Sequence, residues 1–217
     1  YHFTYDLNYF SIFSIDMNHN SIILILRYSI MSMFLLSVGM SLALTHQNTI
    51  KWSSIRKRML QLGISALLIS ISTHIIFPSS WIYFGILHFI LFASLITLPL
   101  LNFPKVTLIL VFIIPLGSAM GLLHLHYFYE KLQIPIILPL HSEDLVPLFP
   151  WLAIVLLGTL IVHYNYHQKI FTHKIFDLNF PINKILKKMG QNSLLIYLIH
   201  QPILFTTFKL YFIFFSK

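Results

Sequence analysis

The opening residues YHFTYDLNYF put His2 and Asp6 four positions apart, one helical turn, so both project from the same face. The chain around them is apolar enough to place the pair in a membrane. An ionisable group there costs roughly 2.5–3.5 kcal/mol and is a functional-site candidate by default. The competing reading is a helix-end pair that reaches water at the membrane surface. The residue types leave both open.

Twelve histidines are many for so apolar a chain. His46, His163, His167 and His173 fall at cytoplasmic helix ends and read as interfacial. His2, His74 and His88 fall in the outward halves of helices, where inward-pointing polar groups would build a pocket opening outward. His200 lies seven residues past Ser193, about 10 Å along a helix and near mid-membrane. Pro202 cannot donate to the Leu198 carbonyl, so the helix is expected to open beside the His200 ring, either as part of a site or as a packing kink. His124, His126 and Glu130 lack metal-ligand spacing, and no metal is expected. Arg27 either pairs with Asp6 or Asp16, snorkels outward, or binds substrate. Arg56, Lys57 and Arg58 either mark topology or hold the phosphates of a cytosolic donor.

The elements that carry these residues follow from composition. Only 9% of the 217 residues are charged and 57% are hydrophobic, with a mean hydropathy of +0.80. A soluble domain carries about 25% charged residues, so this is an integral membrane protein in a lipid bilayer. The formal charge of +8 is gathered in short loops between apolar runs, which excludes nucleic acid as a partner. Without cysteine there is neither disulfide nor thiolate chemistry.

The pattern predicts an all-α, polytopic transmembrane helix bundle as one domain over residues 1–217. Six full spans run over about 21–44, 60–78, 81–101, 106–123, 149–162 and 193–215, with 1–14 as the end of a truncated first helix. A polar segment with Asp16 and His19 follows that first helix. Residues 124–148 form a longer loop expected to dip back as a lid, and 163–192 a basic connector. Pro115 is expected to kink its span, and Asn192 or Ser193 to cap the last helix. Alternating sides puts ten of the fourteen Lys and Arg on one face: four in 51–58, Lys105, and five in 169–188. Five of the six acids fall on or near the other, so the basic loops are cytoplasmic and His2, His19 and Ser142 lie outside.

Six stretches occur in order: YHFTYDLNYF, FLLSVGMSLAL, RKR with RMLQLGISALLIS, WIYFGILHFI, LFPWLAIVLLG and NSLLIYLIHQP. Together they resemble the bacterial branch of the heparan-alpha-glucosaminide N-acetyltransferase catalytic-domain family. The family's arginine-glycine signature would lie upstream of Tyr1. The resemblance implies a transmembrane acyltransferase of the bacterial inner membrane. It would move an acetyl group from cytosolic acetyl-CoA to an amino sugar or other envelope glycan outside. His2 matches a key asparagine position, His19 lies near a key histidine position, and Asn192, Ser193 and His200 match a motif with the same Asn-Ser and His. His88 stands where the lysosomal relative has glutamine. In such chemistry His2 would take the acceptor's proton with Asp6 orienting its ring, and His88 or His200 would hydrogen-bond the developing oxyanion. The alternative is a non-catalytic transporter or assembly factor for envelope glycans.

Overall fold

The computed structural model describes residues 2–12, 14, 16–17, 19–46, 49–123, 138–139, 142–172 and 181–215. All regular structure among the described residues is helical. The helices are α1 (His2–Tyr9), α2 (Ser21–Thr45), α3 (Trp52–Ile76), α4 (Ile86–Leu100), α5 (Pro104–Ala119), α6 (Leu148–His163), α7 (Tyr166–Phe171), α8 (Pro181–Gln191) and α9 (Ser193–Phe215). Three of them, α2, α3 and α9, are long and apolar enough to cross a membrane, while α4, α5 and α6 are shorter apolar helices of 15 or 16 residues. Isoleucines and leucines stand exposed along α2 and α3, as lipid-facing side chains do. Residues 1–31 with 168–217 form one compact unit and residues 32–167 a second.

In the first unit, α1 pairs with α9 through aromatic rings. Phe3 meets Phe208 at 5.5 Å, Tyr9 meets Phe205 at 5.4 Å, and Phe10 stacks on Phe212 at 5.2 Å. These rings reach α9 from Phe205 to Phe212, so the two helices pack along an aromatic seam. Asn20 caps α2, its side-chain oxygen accepting from the backbone N–H of Ile22 at 3.0 Å and of Ile23 at 3.3 Å.

In the second unit, α2 and α6 cross where each carries glycine. A Cβ on Gly39 would sit 2.0 Å from the Val155 carbonyl oxygen, and one on Gly158 would sit 2.3 Å from that of Leu36. Only hydrogen fits there, which is why small residues mark close crossings in membrane helices. Near the C-terminal ends of α2 and α4 and the start of α3, Leu42, Ile55 and Leu98 form a buried core flanked by Ile50, Met59 and Leu101.

Several expected boundaries move. The third span begins at Trp52 rather than near 60, so Arg56, Lys57 and Arg58 lie in the first turns of a helix and not in a loop. The fourth begins at Ile86 rather than 81, because the backbone of 82–84 finds partners on α3 and in the segment before α6 instead of within a helix of its own. Ile82 N–H donates to Thr73 Oγ1 at 3.0 Å, the Ile82 carbonyl accepts from Ser70 Oγ at 2.7 Å, and the Phe84 carbonyl accepts from Val146 N–H at 3.1 Å. The fifth stops at Ala119, four residues early, where Gly121 takes a positive φ of 74° and Leu122 N–H returns to the Gly117 carbonyl. Part of the basic connector is the helix α8. Pro202 does not break α9, which runs through it. Asn192 donates from Nδ2 to the Lys188 carbonyl at 2.9 Å and so closes α8 rather than capping α9. Of the expected lid, 124–137 and 140–141 lie outside the described residues, and with them His124, His126 and Glu130.

Candidate active site

One turn of α1 and one of α9 bring four polar side chains together. The His2 and His200 rings meet edge to face, centroids 4.9 Å apart. Asp6 has no exposed surface, and its Oδ1 accepts from Gln201 Nε2 at 2.9 Å. The other oxygens of the pair, Asp6 Oδ2 and Gln201 Oε1, are buried with no protein partner. A buried carboxyl left half satisfied is costly, and such groups concentrate where a site must receive a donor. The aromatic packing of α1 on α9 holds this meeting in place, with the turn carrying His2 and Asp6 against the turn carrying His200 and Gln201.

His200 has a defined tautomer. Its Nδ1 lies 2.6 Å from the Tyr197 carbonyl oxygen, which can only accept, so Nδ1 carries the hydrogen. In the neutral ring Nε2 then holds the lone pair, the form a general base needs. Arg27, on α2, lies within electrostatic reach of His2.

The carboxylate that sequence spacing assigns to His2 is hydrogen-bonded to Gln201 instead. The carboxylate–imidazole pair sits at Asp16 and His19, between α1 and α2. His19 Nδ1 is 2.8 Å from Asp16 Oδ2, and His19 N–H donates to Asp16 Oδ1 at 3.0 Å. Both side chains are well exposed, at 86% and 62%.

In the second unit, both ring nitrogens of His88 are engaged internally. Nδ1 accepts from Gly85 N–H at 3.3 Å, which leaves Nε2–H to face Ser70 Oγ at 3.3 Å, and Ser70 passes its own hydrogen to the Ile82 carbonyl. That chain ties α3 to α4. Asp144 Oδ2 accepts from Ile86 N–H at 3.4 Å and Glu143 Oε1 from Ser80 Oγ at 2.7 Å, fastening residues 142–146 over the same turn. Gly85 permits this, because a Cβ there would stand 2.7 Å from the Ile82 side chain and 3.1 Å from Asp144 Oδ2. His74 is exposed and packs its ring on Trp81 at 5.4 Å.

Arg56 and Lys57 are exposed and Arg58 half-buried at the start of α3, which has no side-chain cap. Ser193 opens α9. Gln201 is the site residue that sequence reading passed over, although it adjoins His200 in the stretch NSLLIYLIHQP; a lone amide carries no titratable signal, and only its approach to Asp6 reveals it.

Neither curated proteins nor solved structures gave a match. A family model described as "Heparan-alpha-glucosaminide N-acetyltransferase, catalytic" matches residues 1–202. That match takes in the His2–Asp6 turn, the His200–Gln201 turn and nearly everything between the chain's two ends, and so the chain belongs to the heparan-alpha-glucosaminide N-acetyltransferase catalytic family.

Proposed function

We propose that this protein transfers an acetyl group from acetyl-CoA on the cytoplasmic side to an amine or hydroxyl of a sugar on the other side of a bacterial inner membrane. The observation that carries the reading is the polar quartet of His2, Asp6, His200 and Gln201 between two apolar helices, in a chain of a membrane acetyltransferase family. In this reading the acceptor nitrogen or oxygen attacks the thioester carbonyl and gives its proton to His200 Nε2. The C–S bond then breaks and the CoA thiolate leaves with a proton. His2, edge-on to His200, hydrogen-bonds the developing oxyanion, and the unpartnered oxygens of Asp6 and Gln201 accept from the acceptor group.

The donor's phosphates fall to Arg56, Lys57 and Arg58. Three adjacent cations in the second turn of a helix repel one another, and an anion relieves that repulsion. A second reading makes His19 the base, favoured by its 2.8 Å contact with Asp16. Asn192 and Ser193 stay with the site only by their family match, and His88 moves to a positioning role, since both its nitrogens are spent on the α3–α4 tie.

The test is CoA release by full-length protein in lipid nanodiscs, with labelled acetyl-CoA and glucosamine or glucose as acceptors. His200→Ala is expected to lower turnover by roughly 100- to 10,000-fold, the usual worth of a positioned base. His19→Ala is expected to leave more than half. The reverse order would transfer the base to His19, and release with neither acceptor nor any related sugar would favour a non-catalytic membrane protein.

A further inference from the structure

Helix α8 is amphipathic in a simple way. Ile182, Ile185, Leu186 and Met189 recur at i, i+3, i+4 and i+7 and share one face, while Lys184, Lys187 and Lys188 lie on the other side. A helix of a water-soluble unit turns such an apolar face onto the protein. Here all four apolar side chains are exposed, Ile182 at 58%, Ile185 at 56% and Leu186 at 55%, and the half-buried residue is Asn183 on the polar side. The helix therefore presents its oily face away from the rest of its unit. One residue, Asn192, separates it from α9, which is long and apolar enough to cross a membrane. That short joint keeps α8 at the level where α9 enters the lipid.

We infer that α8 is an interfacial helix that lies on the bilayer, its four apolar side chains among the upper acyl chains and its three lysines on acidic phospholipid headgroups. The apolar face supplies insertion and the lysines choose the leaflet. An acidic surface attracts each nearby lysine enough to change binding roughly fivefold. No acidic residue lies in α8 to offset them.

The chain contains no cysteine, so single cysteines report without background. Ile185→Cys and Lys187→Cys, each carrying a nitroxide in the full-length protein, are reconstituted in vesicles of phosphatidylcholine with or without phosphatidylglycerol. In the acidic vesicles the label at 185 should be reached several-fold better by oxygen than by a water-soluble nickel chelate, and the label at 187 the reverse. Adding Lys184→Gln, Lys187→Gln and Lys188→Gln to the Ile185→Cys protein should shift the docked-to-lifted ratio by on the order of a hundredfold towards lifted, and so should removing phosphatidylglycerol. A label at 185 open to nickel in acidic vesicles would overturn the inference. So would one shielded from both reagents, which would mean that protein covers the face. A docked signal indifferent to phosphatidylglycerol and to the lysine changes would also sink it.

Discussion

Gln201 and Asp6 hold each other through one hydrogen bond, and the residue scale is where that bond can be separated from chemistry. Gln201→Leu takes the donor from a fully buried carboxyl, and an orphaned group of that kind costs about 1–3 kcal/mol. Thermal unfolding in nanodiscs should show the loss. Replacing both partners with leucine should recover most of the stability, because two matched apolar groups need no partner. Turnover should stay lost in the double variant if the pair serves the acceptor; recovery of turnover with stability would reduce the pair to a structural tie. A second residue-scale effect belongs to His46, outside the spans between α2 and α3. Its Nδ1 accepts from Lys51 N–H at 3.1 Å, and burial, then the charges of Arg58 and Lys51, hold its pKa below the ordinary 6.5. As pH falls through 6.5 the unfolded chain takes up the proton while the folded loop resists, so His46's contribution is present above pH 6.5 and lost below it. Hydrogen exchange at the Lys51 amide, corrected for intrinsic rate, should speed up as pH drops below 6.5, and His46→Phe should abolish the pH dependence. An exchange rate with no such inflection would count against the tether.

At the scale of elements, the α2–α6 crossing rests on two glycines and nothing softer. Gly39→Ala and Gly158→Ala each drive a methyl into backbone of the facing helix, which cannot swing aside as a side chain would. Each should destabilise by about 1–3 kcal/mol, the usual cost of overpacking. Gly63 has nothing within 4 Å of the same methyl, so Gly63→Ala on the α3 surface should be neutral or stabilise by up to about 1 kcal/mol through helix propensity. Melting midpoints of the three variants in one detergent decide this; equal shifts at 39 and 63 would mean that the crossing is looser than described. Helix α8 was legible in its i, i+3, i+4, i+7 pattern, yet its lysines made the segment read as a connector. The late start of α4 was not legible. WIYFGILHF is evenly apolar, and what keeps 81–85 out of the helix is a set of hydrogen bonds to Ser70 and Thr73 on α3 and to Val146 far along the chain.

For the whole molecule, the charge split predicts that the basic loops face the cytoplasm, and labelling can check it. Ser53 and Lys187 are exposed positions in the lysine- and arginine-rich stretches, and Ser79 is exposed at the turn fastened to Glu143 through Ser80; each is replaced by cysteine. An impermeant thiol reagent on intact cells should label 79 alone, with 53 and 187 reacting only after lysis. Labelling of 53 in intact cells would invert the layout.

Membrane residence, helical structure throughout the described residues and family membership were legible in composition and short motifs. The cause is physical: lipid demands long apolar runs with every backbone group satisfied inside, and those leave a coarse, one-dimensional signature. Which polar side chains pair was not written there. His2 and Asp6 share a helix face by spacing, yet Asp6 meets Gln201, His2 meets His200, and the carboxylate–imidazole contact forms at Asp16 and His19. Spacing within one helix says which residues point the same way. Only the packing of α1 against α9, residues almost two hundred positions apart, decides what each of them finds on the other side.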